Sequence, residues 1–110
     1  MVKPVIFHRR AREEIRALPR DVRLKLGAAL MALQRGFSLG LPVSRPIPNV
    51  MPGVEELRLT GESGQYRIFY FCKSARGILV LRAFQKKTRT TPAKEIEFVR
   101  RRLKEVLSEF

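Results

Sequence analysis

Between residues 54 and 85 three apolar, β-rich runs follow one another with only a few polar residues between them. That spacing constrains the fold more than any other feature of the chain. The runs cover residues 54–60, 66–72 and 78–85. They are separated by Gly61-Glu62-Ser63-Gly64 and by Lys73-Ser74-Ala75-Arg76-Gly77, both credible hairpin loops. Loops this short join antiparallel neighbours, because a parallel return needs a crossover of about a dozen residues or more. The segment is therefore expected to be a β-meander. Alternation places Leu57 and Leu59 on one face of its first strand, with Glu56 and Arg58 on the other. In the second strand Arg67 shares a face with Phe69 and Phe71.

The flanks read with a helical period. Ala11, Ile15 and Leu18 mark one apolar stripe over residues 9–18, which Pro19 interrupts. Asp21 is a plausible N-cap for a second helix, and Val22, Leu26, Ala29, Leu30 and Leu33 trace its apolar face. Gly36 supplies the stop. At the other end Thr91 can cap a helix and Pro92 suits its first turn. Ile96, Val99, Leu103, Val106 or Leu107, and Phe110 recur there at three and four, with Lys94, Arg100, Arg101, Arg102 and Lys104 opposite. Residues 2–7 suit an opening strand. Residues 37–53, with Pro42, Pro46, Pro48 and Pro52, suit a long loop or a loop with a short edge strand. The expected fold is α+β: one domain over residues 1–110, an N-terminal helical hairpin and a C-terminal helix packed on a small, mainly antiparallel sheet.

Charge bounds the function. Twenty-three Lys and Arg against ten Asp and Glu give +13 and a pI near 11.3. Self-repulsion at that charge opposes the compact state, so the excess points to an anionic partner, with nucleic acid ahead of a membrane surface or an acidic protein. The lone Cys72 cannot form an intrachain disulfide, and no apolar run approaches the ~20 residues of a membrane span. A cytoplasmic protein without membrane contact is the expectation.

Most familiar chemistries find no support. One His and one Cys offer no ligand set, so neither a metal nor a small-molecule cofactor is expected. His8, beside Arg9 and Arg10, reads as an ordinary surface histidine, since nothing places a nucleophile and an orienting carboxylate around it. The Gly61–Gly64 turn lacks the spacing of a phosphate-binding loop. What remains is cationic. Arg82, Lys86, Lys87, Arg89, Lys94, Arg100, Arg101, Arg102 and Lys104 crowd residues 82–104. A solvated helix face accounts for residues 100–104 as well as function does. Lys86 and Lys87 differ, because they follow Phe84 where the last strand meets a loop. Arg67 interrupts an apolar and aromatic strand; pairing with Glu55 or Glu56 is its bland explanation, and presentation to a phosphate its sharper one.

Glu56-Leu57-Arg58, then Tyr66-Arg67-Ile68-Phe69-Tyr70, then residues 79–92 ending in Phe84-Gln85-Lys86-Lys87-Thr88-Arg89-Thr90-Thr91-Pro92, and a closing basic helix resemble the RelE/HigB toxin superfamily. The phage-derived, HigB-like branch, with its Phe-x-Lys-Lys-Thr-x-x-Thr-Pro segment, is the nearest in pattern. The resemblance implies a toxin of a type II toxin–antitoxin pair, an endoribonuclease that cuts mRNA on the ribosome and is neutralised by a cognate antitoxin, often of helix-turn-helix type. Carried over by position, Arg67 matches the strand arginine near the scissile phosphate, Arg58 the basic position of the preceding strand, and Lys86 and Lys87 the basic residues after the last strand. These four are the expected catalytic set; Arg82, Arg89, Lys94, Arg100, Arg101 and Lys104 are the expected RNA-binding set. The chain departs from some relatives in having no Tyr or His after Tyr70, and in carrying Glu55 and Glu56 where they carry lysines. Two alternatives stand beside this one. A ParE-like gyrase inhibitor shares the fold, and a non-enzymatic RNA-binding module would stack bases on Tyr66, Phe69, Tyr70 and Phe71.

Overall fold

The computed structural model describes residues 2–110, and its elements follow the expected order. They are β1 (Val5–Phe7), α1 (Arg9–Arg16), α2 (Arg20–Gln34), β2 (Ser44–Pro46), β3 (Val54–Gly61), β4 (Gly64–Ser74), β5 (Gly77–Lys86) and α3 (Ala93–Ser108). The five strands form one sheet in the order β1-β5-β4-β3-β2. The meander β3-β4-β5 is its centre. β2, from the proline-rich segment, pairs antiparallel on one edge, and β1 pairs parallel with β5 on the other.

Alternation along the central strands feeds two cores. Leu57, Leu59, Tyr66, Ile68, Tyr70, Ile78 and Val80 face the α1–α2 hairpin and meet Ala11, Leu18, Val22, Leu26, Leu30 and Leu33. Val54, Phe69, Phe71, Leu79 and Leu81 face the other way, onto Val99, Leu103 and Val106 of α3. The four strand aromatics are thus core residues, and none of them forms an open stacking surface.

Local physics explains where the elements end. Gly36 adopts φ 91° just past α2, a left-handed conformation that stops the helix at little cost. Asp21 does not cap α2. The N-cap position falls to Pro19, and the Asp21 carboxylate instead accepts from the Glu62 backbone N–H at 2.8 Å, tying the helix to the β3–β4 turn. Gly61 makes that approach possible, since a Cβ there would lie 2.5 Å from a Val22 methyl. Pro92, rather than Thr91, is the N-cap of α3, which leaves the Thr91 hydroxyl free for another partner. Phe110 lies beyond the helix, 41% exposed, with the Arg76 guanidinium 4.9 Å from its ring centroid.

Two further residues depart from expectation. His8 is buried: its Nδ1 accepts from the Arg10 backbone N–H, capping α1, and its Nε2 lies 2.8 Å from Glu105 of α3. Arg102 belongs to the interior rather than to a solvated face, because it reaches the Leu81 carbonyl and both oxygens of Glu14. Among the described residues no helix is long and apolar enough to cross a membrane.

Candidate functional site

The apolar cluster beneath α3 gives way to charge along the same face of the sheet. Past Phe69 and Phe84 come Arg67 on β4, Arg58 on β3 and Lys86 on β5. The register fixes their neighbourhood: Arg58 stands directly opposite Arg67, Arg67 opposite Phe84, and Lys86 opposite Gln65. Arg45 of β2 stands opposite Glu56, the residue two before Arg58. Four cations from four strands therefore surround one carboxylate. Like charges placed directly across strands are destabilising, and burial raises that penalty.

Arg67 is the pivot. It is 4% exposed and donates through Nη1 to the Tyr66 carbonyl at 3.0 Å. Its Nε lies 3.8 Å from Glu56 Oε1, beyond hydrogen-bond reach, and is the one buried side-chain polar atom without a partner among the described residues. Burial depresses its pKa, Glu56 restores part of it, and Arg58 and Arg45 depress it further. Lys86, half-buried at the end of β5, has its ammonium pKa lowered first by desolvation and then by Arg67. Glu56, 2% exposed, accepts from the Thr91 hydroxyl at 2.7 Å, so the segment entering α3 is anchored to the same carboxylate that faces Arg67. The arrangement offers an incoming anion the exposed Arg45 and the half-buried Arg58 and Lys86, with the charge of the buried Arg67 behind them, in a partly desolvated setting. Such donors stabilise negative charge far better than they would in water.

The other residues of the expected sets are dispersed. Lys87 and Arg89 are exposed in the connection between β5 and α3. Lys94, Arg101 and Lys104 are exposed or nearly so along α3. Arg100 is half-buried, bonded to Glu97 and, at 2.8 Å, to the Asn49 carbonyl. Arg82 is held in ion pairs with Glu14 of α1 and Glu95 of α3, its Nε 2.7 Å from Glu95. A one-residue register shift between Phe69 and Tyr70 accompanies it, putting Leu81 and Arg82 both on the α3 side.

Sequence reasoning missed Arg45, the anchoring of Thr91, and a recess of 410 Å³ lined by Arg45, Ile47, Asn49, Thr90, Thr91 and Ile96 among others. The segment around Arg45 carries no period, and only its pairing with Glu56 brings it beside Arg67. Among the described residues no three metal-ligating side chains gather.

A family model described as "Phage derived protein Gp49-like (DUF891)" matches residues 13–104. In three dimensions the chain is similar to the E. coli toxin RelE, solved as a mutant in the free state, with a TM-score of 0.56. The identity is 18%, and the match covers 96% of this chain and 99% of that one. At that identity the likeness establishes a RelE-like fold. No curated protein sequence matches the chain.

Proposed function

The chain belongs to the phage-derived Gp49-like family and has the RelE-like fold, and from that premise we propose that it is the toxin of a type II toxin–antitoxin pair: a metal-independent, ribosome-dependent mRNA endoribonuclease. The observation that carries this reading is the Arg58–Arg67 opposition with Lys86 alongside and a buried, unpartnered Arg67 Nε. An anionic ligand would offset the repulsion built into such an arrangement.

RNA can be cleaved without a metal when its 2′-OH attacks the adjacent phosphorus. A proton leaves the attacking oxygen, charge gathers on the phosphoryl oxygens, and the 5′-oxygen departs with a proton. In this reading Arg67 and Arg58 hold the phosphoryl oxygens, an effect worth roughly 3–4 kcal/mol per donor in other enzymes. Lys86, its pKa lowered by burial and Arg67, moves the proton at one of the two oxygens. Lys87, next along the chain, steers the RNA backbone and is second in line for the proton. Glu56 holds Arg67 and Thr91 in register. With no histidine or tyrosine at the site, in-line geometry comes from the ribosome's grip on the mRNA. Arg89, Lys94, Arg101 and Lys104 contact RNA phosphates, Arg100 joins them at its exposed edge, and Arg82 supports α3 from beneath. A helix-turn-helix antitoxin with an acidic segment complements the same surface.

New 5′ ends mapped on a defined mRNA, with and without translating ribosomes, test the reading. Cuts confined to the ribosome-containing reaction and in register with codons are expected. Full activity in an Arg67→Ala, Lys87→Ala double variant would sink the catalytic assignment. Growth arrest with intact mRNA would favour a gyrase-directed poison on the same fold.

A further inference from the structure

We infer that the recess beside β2 is the subsite for one unstacked nucleobase of the mRNA next to the scissile phosphate, and that Asn49 selects among bases there. The inference rests on the endoribonuclease reading and extends it from a phosphate site to a base site.

Position comes first. The recess and the arginine cluster share walls. Thr91 lines the recess and donates to Glu56, whose other oxygen faces Arg67 Nε at 3.8 Å. Arg45 also lines the recess, and its charge acts on both Arg67 and Lys86. A nucleotide whose phosphate sits against Arg58, Arg67 and Lys86 therefore has its neighbouring base within reach of this hollow.

Chemistry comes second. The volume of 410 Å³ lies in the range of small-molecule sites. Ile47 and Ile96 give it an apolar floor, and the exposed Arg45 supplies a guanidinium plane. Single-stranded bases are recognised by stacking on such planes and by hydrogen bonds to their edges. Asn49 provides the edge contact. Its backbone is fixed, because its carbonyl accepts from Arg100 at 2.8 Å and Val50 N–H bonds back to Ile47. Its side-chain amide makes no hydrogen bond among the described residues and is exposed. An amide carried on a held backbone, with its donor and acceptor both free, pairs with one base edge better than with the others. Arg100 thereby acts as a positioning residue for base selection, in addition to any phosphate it meets.

Two measurements test this. In the first, the intact protein is titrated separately with adenosine, guanosine, cytidine and uridine 5′-monophosphate, and with inorganic phosphate, while backbone amide shifts are followed by NMR. Saturable shifts at Ile47, Asn49, Thr90 and Ile96 are expected with nucleotides but not with phosphate. The four bases should differ in affinity, and Asn49→Ala should weaken the best of them about tenfold. Shifts at these residues that are equal for all four nucleotides, or reproduced by phosphate, would overturn the inference. In the second, cleavage is profiled on translating ribosomes over mRNAs varied at the cut codon. Asn49→Ala should flatten the base preference at one codon position about tenfold, whereas Arg67→Ala should lower cleavage on every codon alike. An unchanged base profile in Asn49→Ala also overturns it. No cleavage of any codon by the unaltered protein would remove the endoribonuclease reading, and the NMR titration would then decide the recess alone.

Discussion

Two clusters of arginine lie under and beside α3, and they are built on opposite terms. In the first, Arg82 and Arg102 meet Glu14 and Glu95 in close, multiply hydrogen-bonded pairs that stitch α1, β5 and α3 together. Glu14 also accepts the Ala83 N–H, closing a stretch of β5 that the short β1 leaves uncovered. In the second, Arg45, Arg58, Arg67 and Lys86 share only Glu56, at 3.8 Å from Arg67, with an Nε left over. The same residue type is spent on structure where its charge is balanced. Where the charge is left open, it is held ready for a ligand. A basic composition says nothing about which is which; the count of carboxylates within reach does.

The sharpest way to break the comparison is to unbalance the first cluster. Glu14→Ala leaves Arg82 with Glu95 alone and Arg102 with no carboxylate, and removing one partner of a buried ion pair costs ~3–5 kcal/mol. The expected outcome is a large loss in urea or thermal unfolding, with α3 loosened first. The pH dependence follows the same residue. Burial pushes the Glu14 pKa up, but hydrogen bonds from Arg102 and the Ala83 N–H, with the charges of Arg102 and Arg82, bring it below 4.5. Its folded pKa is thus depressed, so its stabilising contribution is complete above pH 4.5 and is lost as acidification passes through the folded value. Unfolding midpoints measured downward from neutral pH should fall in that range, and Glu14→Gln should flatten that part of the profile.

Next in size is the converse change. Arg67→Ala should lower ribosome-dependent cleavage about 10²–10³-fold per folded molecule, and because it leaves the buried Glu56 carboxylate without its cation it should lower stability as well. Arg67→Lys should recover little, since an ammonium cannot present the fork of donors that holds two phosphoryl oxygens. A variant that unfolds but cuts normally per folded molecule would assign Arg67 to the structural class with Arg82.

Much of this architecture was legible in the sequence, and the reasons for the exceptions are physical. The meander, the helical hairpin and α3 announce themselves because burial on one face imposes a period of two or of about 3.6 on apolar residues. Charged residues carry no such signature. Arg82 and Arg102 stand in a basic-looking stretch, yet they are interior, because their partner Glu14 lies 68 and 88 positions away. His8 looked superficial for the same reason, its partner Glu105 being 97 positions distant. Arg58 and Arg67 could each be given a face within their own strands because those strands alternate clearly. Arg45 could not, since β2 is three residues in a proline-rich segment and takes its register from β3 alone. Thr91 suggested a cap by type, and the helix took its cap one residue later, freeing the hydroxyl for Glu56.

The smallest expected effect is also the most diagnostic, because its two readouts move in opposite directions. Arg58 stands opposite Arg67 across the β3–β4 ladder, and its neighbours in charge are Arg67 and Lys86 rather than a carboxylate of its own. Threonine suits a strand and removes the repulsion, so Arg58→Thr should raise unfolding stability by ~0.2–1 kcal/mol, the size of a cross-strand pair term. The same change removes one of the two guanidinium groups assigned to the phosphate and should slow cleavage. Arg102→Thr, the matching change in the balanced cluster, should do the reverse on the first readout and lower stability. If Arg58→Thr instead destabilised the protein and left cleavage untouched, the second cluster would be structural like the first, and the open charge would have to be explained at another surface.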